Sequence, residues 1–261
     1  MRGLGLERPP GWGIALLVLF TLGNIALFSL LAFRPAPADT YVSNAGSGRA
    51  SVTTAPAGQK SASNVADESA APQPAEPALL AVYGDGYAAG NESGGLGAAG
   101  WPALVAEQTG MRLMLNAVPQ AGYASVGATG QTLRDVVLAS PVTDATVTVL
   151  FGSRNDSDED AAQVRANAAE AIATVQTRAP QSTVLVIGPV WDDPAAPAGV
   201  LAARDAVQAA AAEAGVTFVD PLAVGWFAEP AGLIAGDGVS PTDEGHAYLA
   251  GQIAPAVRAA A

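Results

Sequence analysis

The chain contains no cysteine, one histidine and one lysine among its 261 residues. The absence of cysteine excludes disulfides, thiolate metal sites and a cysteine nucleophile. A single histidine, His246, also excludes a metal site built on several histidines. Only 12 basic residues stand against 24 acidic ones, which gives a formal net charge of −12. No basic stripe is therefore available for nucleic acid or for anionic lipid headgroups as partners.

Charges are also absent from the first apolar run, which covers residues 12–33. As a helix, this run is long enough to cross the roughly 30 Å hydrocarbon core of a bilayer. Because arginine slightly exceeds acid before it, we predict a cytoplasmic N-terminus over residues 1–11 and an uncleaved transmembrane signal anchor over residues 12–34. The alternative is a signal peptide cleaved near residues 36–38, which would leave a secreted protein.

Residues 35–77 are rich in alanine, proline, serine and threonine and have almost no large apolar side chain. Such a segment buries too little surface to offset the entropy lost on ordering, so we predict a flexible linker. A polar linker after a membrane anchor implies a globular domain held outside the cytoplasm. We expect that domain to occupy residues 78–261.

From residue 78 onward, five apolar runs alternate with segments of helical periodicity. The runs are ALLAVYG, RLMLNAV, ATVTVLFG, STVLVIGPV and VTFVDP. Nearly continuous apolar strands are typical of a sheet that helices cover on both faces. The alternation predicts an α/β fold, a three-layer α/β/α sandwich around a parallel, flavodoxin-like five-stranded sheet.

The third of the predicted helices has the clearest apolar face. Its side chains at Val164, Ala168 and Ile172 recur at helical spacing. Ser157 is the predicted N-cap of this helix, and Asp160 is the matching acid of a capping box.

Polar and glycine residues follow the ends of the predicted strands, where ligand sites form in open parallel sheets. Gly84-Asp85-Gly86 follows the first strand, and residues 153–156 follow the third. A glycine-rich loop follows the second strand, and residues 236–246 follow the fifth. Each block alone also has an ordinary explanation as a turn or a helix cap.

Together the blocks resemble, in order, those of the SGNH (GDSL-like) hydrolases, which are esterases and lipases with a flavodoxin-like sandwich. Gly84-Asp85-Gly86 resembles the Gly-Asp-Ser block of that family. The oxyanion-hole glycine of the second block matches the stretch from Gln120 to Gly122, with the register left open. Ser153-Arg154-Asn155-Asp156 resembles Gly-x-Asn-Asp, and Asp237 with Ser240 resembles Asp-x-x-His.

The resemblance implies a role for each matching position, and two positions depart from it. Gly86 stands where the family has its nucleophilic serine, and Ser240 stands where it has the histidine base. Asp237 matches the acid that orients this base, and Asn155 matches the side-chain donor of the oxyanion hole. The remaining oxyanion or binding positions are Asp85, Gln120, Gly122 and Asp156. His246 matches a second, non-catalytic histidine, for which we expect a structural role.

Three functions remain open at this stage. The first is a membrane-tethered extracytoplasmic protein that has lost Ser-His catalysis and acts as a binding or structural domain of the cell envelope, with an acylated or glycan ligand as the resemblance implies. The second is a slow or unconventional esterase or O-acyl hydrolase that uses Asp237 as base and Asn155 as oxyanion donor. A separate rescue route would use Tyr87, Ser93 or Ser125 as a displaced nucleophile, although no base is visible beside any of them. The third is a folded remnant without a ligand.

No cofactor is expected, because no Gly-x-Gly-x-x-Gly fingerprint with a downstream acid is present. A hard cation such as Ca²⁺ or Mg²⁺ held by Asp85, Asp156, Asp237 and Asp243 is disfavoured, because the resemblance assigns other roles to the first two of these acids. The sequence leaves the oligomeric state open.

Overall fold

A computed structural model of the chain describes residues 76–141, 144–193 and 195–261. The strands are β1 (Leu79–Gly84), β2 (Arg112–Ala117), β3 (Val147–Phe151), β4 (Thr183–Ile187) and β5 (Thr217–Val219). The helices are α1 (Gly86–Ala89), α2 (Trp101–Thr109), α3 (Leu133–Ala139), α4 (Ala161–Arg178), α5 (Ala198–Glu213) and α6 (Asp243–Ala260). Short 3₁₀ turns occur at Gly97–Ala99 and Arg154–Asp156.

The predicted anchor, residues 12–34, lies outside the described residues, as does nearly all of the predicted linker. Their boundaries therefore stay predictions. Across the described ranges, no helix combines the length and the apolar character that a bilayer crossing requires.

The five strands form one parallel sheet in the order β2-β1-β3-β4-β5. Helices α3, α4 and α5 cover one face of the sheet, while α1, α2 and α6 cover the other. Side chains of β1 alternate between these two cores: Ala81 and Tyr83 join the first, and Leu80 and Val82 join the second. The predicted three-layer sandwich is confirmed.

Strand β2 departs from the expectation that every strand is covered on both faces. It lies at an edge of the sheet, and each of its six residues is at least partly exposed. Leu115 is 38% exposed. Among the described residues β2 pairs only with β1, so its outer side has no neighbouring strand there of the kind that helps to bury the central strands.

The start of α4 corrects the predicted capping pattern. Ser157 has helical backbone angles and ends the 3₁₀ turn that precedes α4, so it does not have the extended backbone of an N-cap. Asp160 is the N-cap, and its Oδ1 accepts hydrogen bonds from the N–H groups of Ala162 (2.9 Å) and Gln163 (3.0 Å). The predicted apolar face of α4 is confirmed, since Val164 and the residues that follow it at helical spacing are buried.

His246 connects α6 to the start of α2. The residue before α2, Gly100, has no side chain with which to cap the helix, and His246 Nδ1 accepts the N–H of Trp101 at 3.3 Å. The imidazole is 1% exposed, and burial lowers the pKa of His246 below its ordinary value. The structural role predicted for His246 is therefore confirmed.

Candidate functional site

A cavity of about 230 Å³ opens at the carboxyl edge of the sheet, beyond the ends of β1 and β2. Its lining residues come from four segments: Asp85, Gly86, Tyr87 and Asn91; Pro119 and Gln120; Arg154 and Asn155; and Val239, Ser240 and Pro241. The cavity therefore brings together five of the sequence-predicted site residues. Asp156, Gly122 and Asp237 are not among the lining residues.

Asp85 occupies the end of β1 and is 2% exposed. Its Oδ1 accepts the N–H of Tyr87 at 2.9 Å, and its Oδ2 accepts a hydrogen bond from Asn155 Nδ2 at 3.1 Å. Burial raises the pKa of Asp85 to about 7, although the hydrogen bond from Tyr87 and the charge of Arg154 oppose that shift. A substantial fraction of this carboxyl group is therefore neutral near pH 7.

Gly86 begins α1 at the position matched to the family's nucleophile. Its φ lies outside the left-handed region that favours glycine. A Cβ placed on Gly86 would meet only Pro119 Cα, at an ordinary contact distance of 3.9 Å. Neither backbone conformation nor space therefore requires glycine here.

Ser240 occupies the position matched to the histidine base. Its Oγ accepts a hydrogen bond from Asn91 Nδ2 at 2.8 Å. Asp237 Oδ1 accepts the N–H groups of Val239 (2.9 Å) and Ser240 (2.8 Å). A hydrogen bond from the Ser240 side chain, together with these backbone bonds, lowers the pKa of Asp237 to about 2. Such a carboxylate is a very weak base near neutral pH.

Asn155 lines the cavity, but its side chain is already engaged. Both hydrogen bonds that Nδ2 can donate go to protein acceptors, Asp85 Oδ2 at 3.1 Å and the Ala121 carbonyl at 2.9 Å. Asn155 therefore ties the first block to the loop after β2. It has no amide hydrogen left for a bound oxygen unless one of these bonds is shared.

Asp156 is buried behind the loop after β2 and binds its backbone. Its carboxylate accepts the N–H groups of Tyr123, Ala124 and Ser125 at 2.8, 2.8 and 2.9 Å. Burial raises the pKa of Asp156 above its ordinary value, and the three backbone hydrogen bonds oppose that rise. Its position defines the shape of the loop rather than the lining of the cavity.

The sequence left open whether Gln120 or Gly122 matches the oxyanion-hole position of the family. The backbone hydrogen bonds of the loop after β2 distinguish the two. Gly122 N–H donates to the Ser125 carbonyl at 2.9 Å. Gln120 lines the cavity with a left-handed φ of 65°, a conformation uncommon for residues other than glycine. In the described part of the chain, no hydrogen bond uses the backbone N–H of Gln120 or that of Gly86. Both residues line the cavity, so each is a candidate backbone donor to a ligand there.

Sequence reasoning missed a cluster formed by Tyr87, Arg154 and Trp191. The Arg154 guanidinium carbon lies 4.4 Å from the Trp191 ring centroid and 5.5 Å from that of Tyr87. Arg154 also donates to the Tyr87 hydroxyl at 2.7 Å, and that hydroxyl donates to the Val239 carbonyl at 2.6 Å. Burial raises the pKa of Tyr87, which makes this phenol unsuited to nucleophilic attack.

The acids considered for a metal site have other partners. Asp243 Oδ1 accepts the N–H of Gly95 at 2.8 Å, and Asp156 binds backbone as described above. Over the residues that the structure describes, no three acidic or histidine side chains are grouped in a way that would hold a metal ion.

Comparisons with known proteins agree with the geometry of the fold. The family model of the GDSL-like Lipase/Acylhydrolase family matches residues 82–248. A GDSL lipase of Mycobacterium tuberculosis is 37% identical over 186 residues, which cover 68% of this chain and 80% of that protein.

Several solved structures share the fold at low sequence identity. A Lactobacillus plantarum protein superposes with a TM-score of 0.57 at 18% identity, over 71% of this chain and 98% of that one. A family two carbohydrate esterase from Cellvibrio japonicus gives a TM-score of 0.56 at 15% identity, over 73% and 63% of the two chains. The aryl esterase of M. smegmatis gives 0.52 at 16% identity, over 70% and 100%.

Proposed function

The chain belongs to the GDSL-like lipase/acylhydrolase (SGNH) family, and on that premise we propose that it has lost Ser-His esterase catalysis and binds its ligand without cleaving it. The single observation that supports this most is that Gly86 and Ser240 line the same cavity. An attacking oxygen and its proton acceptor would have to meet there. Glycine has no oxygen to attack with, and a serine hydroxyl does not accept a proton near neutral pH.

The expected loss of rate is large. Within a catalytic triad, removal of the nucleophile or the base alone costs up to about 10⁶-fold, and removal of the second costs little more because the residues act as a unit. The orienting acid gives no rescue, because the carboxylate of Asp237 binds backbone N–H groups and is a weak base.

The proposed binding role depends on backbone hydrogen-bond donors that remain in the cavity. The backbone N–H groups of Gly86 and Gln120 have no acceptor in the described part of the chain, so they are free to donate to a carbonyl or other oxygen of a ligand. Loss of a nucleophilic side chain leaves such donors unaffected.

The cellular setting is proposed from the sequence. The apolar run within residues 12–34 and the polar linker of residues 35–77 would tether the domain outside the cytoplasmic membrane, where an acylated or glycan component of the cell envelope is the proposed ligand. Carbohydrate esterases and an aryl esterase share the fold, which supports an ester-bearing or sugar ligand as the proposal.

A slow hydrolase is the second candidate, and one observation favours it. Asp85 lines the cavity, and burial raises its pKa to about 7, a suitable value for a general base acting on water near neutral pH. In such an enzyme Asp85, and not Asp237, would be the base. Its turnover would disappear in Asp85→Asn.

Turnover of p-nitrophenyl butyrate and labelling by a fluorophosphonate test the proposal directly. We expect the unmodified chain to show neither above the protein-free rate. Gly86→Ser combined with Ser240→His should restore hydrolysis by at least about 100-fold over that rate, because the fold still places both positions on one cavity and space exists at 86. Either change alone should stay inactive, since each lacks one partner.

Fluorophosphonate labelling should likewise require both substitutions. Turnover by the unmodified chain that Asp85→Asn abolishes would replace the binding role with the slow hydrolase. A double variant that melts at the same temperature as the unmodified chain yet remains inert would contradict the assignment of positions 86 and 240.

A further inference from the structure

We infer that the cavity recognises a ligand bearing a negatively charged oxygen group, a carboxylate or a phosphate, through the guanidinium of Arg154. This inference rests on the proposed function, because it names the ligand class of the same cavity. It concerns one cation in a chain whose net charge is −12.

The guanidinium of Arg154 is held in place but mostly unused. The guanidinium carbon lies over the Trp191 ring at 4.4 Å and over the Tyr87 ring at 5.5 Å, and these two cation–π contacts limit the movement of the group. Arginine has five N–H donors, and only one of the described hydrogen bonds, that from Nη1 to the Tyr87 hydroxyl at 2.7 Å, uses them. The other four N–H donors of Arg154 therefore have no acceptor within the described residues.

The positive charge of Arg154 has no carboxylate paired with it, although acids are abundant. Four other arginines in the described residues form ion pairs with aspartate or glutamate, namely Arg112, Arg134, Arg165 and Arg204. Arg154 lines the cavity and forms no ion pair in the same part of the chain. The charge of Arg154 acts on Asp85 and opposes the rise of its pKa, but no carboxylate within the described residues forms an ion pair with the guanidinium. An anion that enters the cavity would therefore gain a charge-assisted contact with a partly buried cation.

The surroundings of Arg154 favour an anion over a neutral ligand. Asp85 is the acid that lines the same cavity, and burial leaves much of it uncharged near pH 7, which limits repulsion. The backbone N–H groups of Gly86 and Gln120 add two further donors on the lining. A planar guanidinium whose ring contacts restrict its orientation is suited to two parallel hydrogen bonds with a carboxylate or phosphate.

A neutral acyl chain or sugar would leave these charge-assisted bonds unmade. Bonds of that kind, where they are shielded from water, each contribute at least about tenfold in affinity. The charge therefore dominates the choice among ligands of similar size.

Binding of small ligand pairs that differ only in charge tests the inference. The full chain, in a non-ionic detergent, is titrated in saturation-transfer NMR with monomethyl succinate and its neutral twin dimethyl succinate, and with ethyl phosphate and its neutral twin triethyl phosphate. We expect at least one anion to bind about tenfold more tightly than its twin, or better. The anion that shows this gain identifies the carboxylate or the phosphate as the recognised group.

The variants assign any such gain to Arg154. Arg154→Gln should bring the anion's affinity down to that of its neutral twin, and Arg154→Lys should retain part of the gain because it keeps the charge but loses the fork. The control Arg258→Gln removes a positive charge from α6, where Arg258 donates to the Gln108 carbonyl at the end of α2. It should bind all four ligands as the unmodified chain does.

Two results would overturn the inference: neither anion binds more tightly than its twin, or the gain survives in an Arg154→Gln protein with an unchanged melting temperature. The same spectra report on the proposed function separately, because hydrolysis of either succinate ester releases methanol. Methanol release would defeat the non-cleaving role whatever the charge preference, while equal binding of uncleaved twins would defeat only the role of Arg154.

Discussion

Two glycines, Gly86 in the cavity lining and Gly122 in the loop after β2, differ in whether a larger side chain would fit. Gly86 has room for a Cβ and an ordinary backbone conformation. A Cβ on Gly122 would collide with the carboxylate of Asp156, which three backbone N–H groups hold in place. Glycine is thus structurally required at 122 and unconstrained at 86.

Gly122→Ala should therefore destabilise the domain, whereas the matched Gly86→Ala should not. Displacing a buried carboxylate from its hydrogen bonds is a case of overpacking, which costs about 1–3 kcal/mol. Gly86→Ala replaces glycine in the first turn of a helix and should change the free energy of unfolding by less than about 1 kcal/mol, in the stabilising direction. Urea unfolding followed by circular dichroism measures both. Equal losses in the two variants would contradict the assigned packing.

At this scale the sequence predicts which residues meet at the cavity better than it predicts what they do there. The strand-end rule and the family blocks bring Gly86, Asn155 and Ser240 together because the chain's local order fixes where parallel strands end. The contact between Arg154 and Trp191 joins two loops that are far apart in sequence, so no local sequence pattern predicts it. The feature of the sequence that could have indicated it is Arg154 itself, a basic residue next to the predicted site residue Asn155 in an acidic chain.

Helix α2 depends on α6 for the group that caps its first N–H. His246 Nδ1 accepts the N–H of Trp101, so this nitrogen must be unprotonated. Burial lowers the pKa of His246 from its ordinary value of 6.5. Below pH 6.5 the unfolded chain therefore takes up a proton at this residue that the folded chain does not.

The stabilising contribution of His246 should be complete above pH 6.5 and should decline as the pH falls from there towards its lower folded-state pKa. The decline has a slope of at most about 1.4 kcal/mol per pH unit. His246→Asn should remove this slope, so the stability difference between the two proteins shrinks between pH 7.5 and pH 5. Urea titrations at each pH measure it.

The effect of His246 has to be read from the difference in unfolding free energy between the unmodified chain and His246→Asn. The free energy of either protein alone also contains the contribution of Asp85, which changes with pH in the opposite direction. Its raised pKa means that the folded chain holds an extra proton from about pH 4 to pH 7, so its contribution falls as the pH rises. Parallel pH profiles for the unmodified chain and His246→Asn would contradict the capping role.

Whole elements were predictable where the apolar pattern is long and regular. Helix α4 and strands β1, β3 and β4 lie where the pattern places them, because each is buried along its length or along one face. The apolar pattern did not predict features that depend on neighbouring elements. The exposure of β2 follows from its place at the edge. Ser157 and Asp160 are both able to cap a helix, and the 3₁₀ turn before α4 selects Asp160.

At the scale of the whole domain, the described residues form two cores that lie within residues 79–260, one on each face of the sheet. We therefore expect a chain that begins at Ala70, where the second compact unit begins, to fold alone. Its melting temperature should lie within about 2 °C of that of the full chain, since all the core residues that the structure describes are retained. Differential scanning calorimetry of the two proteins checks this.

A shorter chain that begins at residue 78 serves as the matched comparison. It loses the exposed ion pair between Glu76 and Arg112 (3.4 Å) and the bond from Arg112 Nε to the Pro77 carbonyl (3.1 Å). Exposed pairs contribute about 1 kcal/mol or less, so a small further fall in melting temperature is expected. A collapse of the fold in the chain starting at Ala70 would contradict the predicted independence of the domain.

Strand β1 starts at the amino edge of the sheet. The hydrogen bond from Arg258 to the Gln108 carbonyl places the end of α6 beside the end of α2. Because β2 begins soon after α2 ends, the end of α6 also lies at the amino edge. Both ends of the described domain therefore emerge opposite the cavity. A biotin or a fluorescent protein attached at either end would leave the opening accessible, so the domain is well suited to immobilisation on a sensor chip for binding measurements.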